Sequence, residues 1–302
     1  MRHMDNGKIY VVALRMCAMN VLFCGNMNHD IILAVPRFPA FHEKLSVKTY
    51  HEGEGGSAAN TCWWYAGLGG SARMCGAVGP DTRGDACMRS LEDHGVDTSH
   101  VVRADAPTGL AVAMSCGQDK RMVKVIGAND HVRCTREALG GVGHLHLSSV
   151  ARDVANGAMR LARDAGATVS WDPSERLYED LLPLVDILFI NEDDRARMNA
   201  KGPLPPTVVV TKNEGGCVIN DTVDVPTYGS DAVDTTGAGD AFDAGYLHAL
   251  HAGCDPWECG MWGVVCASFN VARIGARDGF TSRGDISATA RRVVRDLRAS
   301  SR

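Results

Sequence analysis

Between residues 144 and 211 the chain alternates short apolar runs with helical stretches. His144–Ser148, Ala167–Trp171, Ile187–Ile190 and Thr207–Thr211 read as strands. Ala151–Ala165 and Glu192–Asn199 read as helices. Runs of four or five residues rich in Val, Ile and Leu suit strands buried on both faces. The strand–helix–strand rhythm predicts an α/β fold, a mostly parallel sheet with helices on both faces. Upstream, Val21–Gly25 is a further buried strand, Ala58–Leu68 and Asp85–His94 are helices, and Ala72–Val78 is a strand.

Two segments follow a different rule. Ile31–Val35 reads as a strand after the polar turn Asn26–Asp30, and residues 36–54 mix Pro, His, Lys and Glu with alternating stretches such as Ser46–Tyr50. Thr108–Ser115 and Arg121–Ile126 flank Gly117-Gln118-Asp119-Lys120, the pattern of a hairpin. Short strands exposed on one face predict a small sheet, near 31–54 and 108–126, beside a main domain spanning 19–302. Residues 1–18 differ from the rest, and are either an N-terminal extension or an added edge strand at Ile9–Leu14.

Composition excludes several classes. Lys plus Arg number 31 against 36 Asp plus Glu, without the basic excess of a nucleic-acid binder. The longest apolar stretches, such as Leu181–Ile190, are interrupted by Asp186 and fall short of a membrane span. Ile9–Leu14 ends at Arg15 without a small-residue cleavage site, so no signal peptide is read there. The 11 Cys show no CxxC pair, which suits reduced thiols in a cytoplasmic protein.

The chemistry concentrates in Asp234-Thr235-Thr236-Gly237-Ala238-Gly239-Asp240-Ala241-Phe242, followed by an amphipathic helix through Leu250. Small residues at a helix start leave backbone N–H groups open, and the helix dipole adds positive potential. An isolated GxGD is an ordinary capped helix start. With Asp234 and two Thr ahead of it, the run suits a transferring phosphate, with Asp240 placed to take a proton from an attacking hydroxyl. No GxxxxGK[ST] occurs. Gly67-Leu68-Gly69-Gly70-Ser71-Ala72 matches a dinucleotide fingerprint only in the wrong helix-to-strand order. The second cluster is Gly55-Gly56-Ser57-Ala58-Ala59-Asn60 with Asn28 and Asp30 upstream, residues suited to binding vicinal hydroxyls.

In this order, with Gly76-Ala77-Val78-Gly79-Pro80-Asp81-Thr82-Arg83-Gly84 between them, these segments resemble the ribokinase-like (PfkB) carbohydrate kinases over roughly residues 20–290. The resemblance implies a three-layer αβα domain, a small β-sheet lid, and transfer of the ATP γ-phosphate to a hydroxymethyl group of a sugar or nucleoside. It makes Asp240 the base and Gly237, Ala238 and Gly239 the anion hole. Asn28, Asp30, Gly55, Gly56 and Asn60 would hold the acceptor. Asn191, Thr211 and Gly216 would lie near ATP, and Asp194 near Mg2+. Asp234, Thr236, Asn270, Arg273 and Gly275 match a K+ loop. A homodimer through the lid is compatible with it. Such a kinase needs no nucleic acid and no membrane.

Five positions depart from the family pattern. Asp194 replaces the Glu of NxxE, the segment 191–208 is short, and Lys212–Gly216 replaces a smaller turn. Ser57 stands where Lys is usual, and Ser148-Ser149 where ribokinases often carry Glu. The last two argue against ribose as the default acceptor. GGSAAN also resembles nucleoside kinases, whose base would stack beneath Phe38 or Phe41. The alternative is a non-catalytic member that binds sugar or nucleotide. His144-x-His146 and Trp63-Trp64 read as core packing, and the Arg-rich segment 291–298 as a solvated helix face.

Overall fold

The computed structural model describes residues 4–5, 8–9, 19–116, 119–174, 176–199, 202–229 and 232–300. Met4–Asp5 (β1) and Lys8–Ile9 (β2) pair antiparallel with each other, apart from the main sheets. The edge strand considered at 9–14 lies, beyond Ile9, outside the described residues.

The central sheet is built from Asn20–Gly25 (β3), Ser71–Cys75 (β6), His144–Ser148 (β11), Thr168–Asp172 (β12), Ile187–Asn191 (β13), Thr207–Thr211 (β14), Cys217–Ile219 (β15) and Val223–Val225 (β16). Its order is β16-β15-β14-β13-β12-β11-β3-β6. From β14 to β6 every pairing is parallel, and β15 and β16 turn back antiparallel at one edge. Ala77–Val78 (β7), expected to continue β6, pairs instead with Val102–Arg103 (β8).

The strand residues divide between two cores. Val21, Phe23, Ile187, Phe189 and Val209 face one layer, packed by Ser57–Gly67 (α1), Thr82–Glu92 (α2), Ala238–His251 (α5), Pro256–Val271 (α6) and Arg283–Ser300 (α7). Leu22, Leu145, Leu147, Leu188, Ile190 and Val210 face the other, covered by Arg152–Asp164 (α3). Burial on both faces is why β3, β13 and β14 lack polar alternation, whereas β11 alternates Leu with buried His. Trp64 is fully buried and its indole Nε1–H donates to the Ala276 carbonyl at 3.0 Å. Trp63 packs against His94 and meets Phe280 edge to face, so the Trp pair is packing, as its position inside a helix suggests.

His144 and His146 are also buried on one face of β11. Both imidazoles meet Ser170 Oγ, at 2.8 and 2.9 Å. His144 Nδ1 lies 3.0 Å from His251 Nε2, and His251 Nδ1 lies 2.8 Å from Tyr65 Oη. Burial pushes His146 down to about 3 and His144 well below its ordinary value, so the chain is neutral.

The small sheet contains Asn28–Ala34 (β4), Tyr50–Gly55 (β5), Gly109–Cys116 (β9) and Asp119–Val125 (β10), in the order β10-β9-β4-β5. The expected hairpin is present as β9 and β10, with its turn residues 117–118 outside the described residues. No helix among the described residues is long and apolar enough to cross a membrane.

Replacing a buried aromatic by Ala typically costs about 3–5 kcal/mol. Trp64→Ala is expected to lose stability on that scale in urea unfolding, because it empties the α1 core and strands the Ala276 carbonyl. Trp64→Phe should lose less than half as much; equal losses would show that packing contributes nothing there.

Candidate active site

Helix α5 begins at the Gly237 run. Gly237 is left-handed, with φ of 77°, and a Cβ there would stand 2.7 Å from the Ala276 Cβ. No side chain caps this helix end, and the space over Gly239 holds no atom within 4 Å of a would-be Cβ. Ala238 N donates to the Thr235 carbonyl at 3.2 Å, and the N–H groups that follow it in the first turn have no intrahelical acceptor.

The preceding loop is tied on both sides. Asp234 Oδ1 accepts from Thr236 N at 3.1 Å and Thr236 Oγ1 at 2.7 Å, and its Oδ2 accepts from Gly275 N at 3.0 Å. Asn270 Nδ2 donates to the Thr236 carbonyl at 2.7 Å, while its buried Oδ1 has no partner. The structure thus joins Asp234, Thr236, Asn270 and Gly275. Arg273 lies in the same turn, with its N–H 3.4 Å from the Asn270 carbonyl and its side chain exposed.

Asp240, in the first turn of α5, is buried. Its Oδ2 accepts from Asn60 Nδ2 at 2.8 Å. Burial pushes its carboxyl up to about 7; the Asn60 bond opposes this, Asp172 and Asp30 add to it, and Arg277 opposes it. Asn60 Oδ1 in turn accepts from Arg277 Nε at 2.9 Å, and Arg277 Nη1 donates to Ser90 Oγ at 2.9 Å.

Asn28 and Asp30 lie two residues apart on β4 and so share a face. Asn28 Oδ1 accepts from Asn129 Nδ2 at 2.8 Å, and Asn129 Oδ1 accepts from Met27 N at 2.9 Å. The Asp30 carboxylate lies directly over Gly55, where a Cβ would come within 2.1 Å of its Oδ2. Gly56 follows as the residue before α1. Asp30 Oδ1 is buried without a partner, and burial raises the Asp30 pKa against the fields of Arg277, Lys120, His29 and Lys124.

Lys120 comes down from β10 until its Nζ touches Thr236 Oγ1 beside the Gly237 run. Burial lowers its pKa, while Asp234, Asp30 and Asp240 raise it. Sequence reading took Lys120 only as part of a turn, and passed over Arg277 and Asn129. The period-2 pattern of β10, which puts Lys120 and Lys124 on one face, was the available signal for the lysine.

On the other side, Asn191 and Thr211 are register partners at the C-terminal ends of β13 and β14. Asn191 Oδ1 accepts from Asp194 N at 2.8 Å, capping the short helix Glu192–Arg197 (α4). Asp194 accepts from Arg197 Nη2 at 3.0 Å. Gly216 leads into β15 beside Thr211. Asp172, unnoticed in the sequence, is pushed up to about 6 by burial, with Asp194 adding to the effect. The two departures Ser57 and Ser149 touch each other, with Ser149 Oγ 3.3 Å from Ser57 Oγ and 2.9 Å from Ser174 Oγ.

Residues 18–283 match the pfkB family carbohydrate kinase pattern. The chain belongs to the pfkB family. This pfkB protein is 33% identical over 288 residues to an ATP-dependent ribose-1-phosphate kinase of Halopiger xanaduensis, covering 87% of this chain and 96% of that one. It is 27% identical over 290 residues to a nucleoside kinase of Methanothermobacter thermautotrophicus, covering 88% and 94%. Among solved structures it resembles Arabidopsis thaliana ribokinase complexed with ribose and ATP, with a TM-score of 0.77, 24% identity, and coverage of 90% and 98%. The Methanocaldococcus jannaschii nucleoside kinase gives a TM-score of 0.79 at 22% identity, with coverage of 90% and 98%. The architecture is therefore the ribokinase fold, an αβα domain with a small separate sheet.

A carboxyl raised from 3.8 to about 7 on folding contributes stability below pH 4 and loses it as the pH climbs through 7. Asp240→Asn is thus expected to raise Tm at pH 8, by removing a buried charge, with the gain fading by pH 4. Equal Tm shifts at both pH values in calorimetry would show that Asp240 carries no such burden.

Proposed function

We propose that this chain transfers the γ-phosphate of ATP to a hydroxymethyl group of a sugar phosphate. The observation that carries the transfer is Asp240, a buried carboxyl near 7 standing in the first turn of an open helix N-terminus. In this reading Gly237, Ala238 and Gly239 receive the transferring phosphate, and Asp240 takes the proton of the attacking hydroxyl. Asn28, Asp30, Gly55, Gly56 and Asn60 hold the acceptor, with the unpartnered Asp30 Oδ1 awaiting a hydroxyl donor. Asn191, Thr211 and Gly216 border the nucleotide at the C-terminal ends of the strands, where α/β sheets place their ligands.

Asp194 and Asp172 offer the oxygen donors that Mg2+ takes, close enough for Asp194 to raise the Asp172 carboxyl, with Asp194 also paired to Arg197. Mg2+ supplies charge neutralisation across the phosphates of bound ATP. Asp234, Thr236, Asn270, Arg273 and Gly275 fit a K+ loop, supported by the orphaned Asn270 Oδ1. A homodimer through the small sheet belongs to the same reading, supported by edge strand β10, where Met122, Val123 and Val125 are exposed.

The charge of the acceptor follows from the small sheet. Lys120 and Lys124 share the face of β10 whose field reaches Asp30. The Arg121 guanidinium lies 4.2 Å over the Phe38 ring, and Phe41 is 92% exposed, so neither aromatic offers a covered face to a base. The positive fields of Arg277, Lys120 and Lys124 at Asp30 favour an anionic ligand.

The test is ADP release over a panel of ribose, ribose 1-phosphate and nucleosides. The phosphorylated sugar is expected to exceed ribose and nucleosides at least tenfold in kcat/KM. Asp240→Asn should lower turnover at least 100-fold. Lys124→Ala should raise KM for the anionic acceptor alone, and Lys120→Met should lower kcat. Nucleosides as the best acceptors would sink the sugar-phosphate reading, and wild-type turnover in Asp240→Asn would sink the base.

Replacing Na+ by K+ should raise the rate, because a bound cation fixes the 234–237 loop. Equal rates in K+, Na+ and choline would remove that site.

A further inference from the structure

Three cysteines distant in sequence converge at the central sheet, in the core that α3 covers, outside the proposed phosphotransfer site. Cys24 and Cys75 are register partners in parallel strands β3 and β6. Cys134 arrives from the segment following the short helix Gly127–His131. Their sulfurs all lie within 4.8 Å of one another, with Cys24 and Cys75 buried and Cys134 half-buried.

A metal–thiolate bond of about 2.3 Å places the sulfurs of a three-coordinate site about 4 Å apart. The trio, with every pair within 4.8 Å, needs at most a small contraction to reach that spacing. We propose that Cys24, Cys75 and Cys134 bind one thiophilic d10 cation, Zn(II) or Cu(I), as three thiolates. Thiolates select these ions over hard cations such as Mg2+. No fourth His, Cys, Asp or Glu joins the group among the described residues. Cu(I) is satisfied by three sulfurs, whereas Zn(II) takes a water as fourth ligand on the open side of Cys134.

In the metal-free trio Cys75 Sγ–H donates to the Arg133 carbonyl at 3.0 Å. Metal entry sends the thiol protons to solvent, and no electron changes hands. The ion would fasten the end of β3, just before Gly25–Asn28, to the segment that carries Asn129. Those two stretches meet at the Asn28–Asn129 bond, so the metal would brace one wall of the acceptor pocket.

The reduced, chelator-treated full chain is titrated with Cd2+, whose sulfur-to-metal ultraviolet band reports thiolate ligation. One equivalent is expected to bind, with a band that a C24S/C75S/C134S variant lacks and a C116S/C254S variant keeps. Cys134→Ser alone, a change at the half-buried position, should weaken binding at least tenfold while leaving far-ultraviolet circular dichroism unchanged. Displacement of Cd2+ by Zn(II) or by Cu(I) supports the site and tells the two ions apart. Displacement by neither, absence of the band in the wild-type chain, or its survival in the triple variant overturns the proposal. So does an intact mass two hydrogens light together with no Cd2+ uptake, which marks a disulfide pair instead.

Discussion

The hydrogen bond from Asn60 to Asp240 carries more of this structure than its single 2.8 Å contact suggests. A buried carboxylate is costly unless its oxygens find donors, and Asn60 supplies one from helix α1. The amide can do so because its own oxygen is held by Arg277, which is anchored on Ser90 of α2. Four segments, α5, α1, the turn around Arg277 and α2, are thereby tied to one carboxyl group. Burial pushes that carboxyl up to about 7, and the single Asn60 bond opposes the rise. A second donor would make the group more acidic, and loss of Asn60 would hold it more firmly protonated.

The parts of the fold that follow from local pattern were legible in the sequence. His144–Ser148 and Thr207–Thr211 appear with the expected boundaries, the second because a strand buried on both faces writes itself as an apolar run, the first although buried His alternates with Leu. Helix α6 left no such trace. It is buried on nearly every side, from Cys259 to Cys266, so its sequence shows no amphipathic stripe. The antiparallel hairpin of β15 and β16 was also missed, being three residues per strand. In the site, the Gly237–Asp240 run and the paired glycines were readable because each is continuous. Lys120 and Thr236 are 116 residues apart, and Asn60 and Arg277 are 217 apart. No local pattern can announce such a pairing; only the closure of the small sheet and the packing of α1 bring the partners together.

The departures from the family pattern make sense in space. Ser57 and Ser149 stand at separate points of the sequence, yet their hydroxyls meet, with Ser174 as a third member. Where the resemblance would place a Lys and a Glu, the chain has a small neutral cluster. Exchanging both charged groups together keeps the local balance, whereas exchanging one would leave an unpaired charge near the sheet. Positive charge reaches the site from above instead, on Lys120.

The neutral histidine chain in the core has a consequence for how the sheet assembles. Apolar contacts between parallel strands change little if one strand slides by two residues, since Val, Leu and Ile replace one another at modest cost. Hydrogen bonds do not share that tolerance. His144 and His146 both reach Ser170, the register partner of His146, and His144 continues to His251 and Tyr65 on two helices. A two-residue slip of β11 against β12 would leave several buried nitrogens and hydroxyls without partners at once. The chain acts as a key in a keyway, admitting one alignment of β11, β12, α1 and α5 among the many that greasy strands alone would accept.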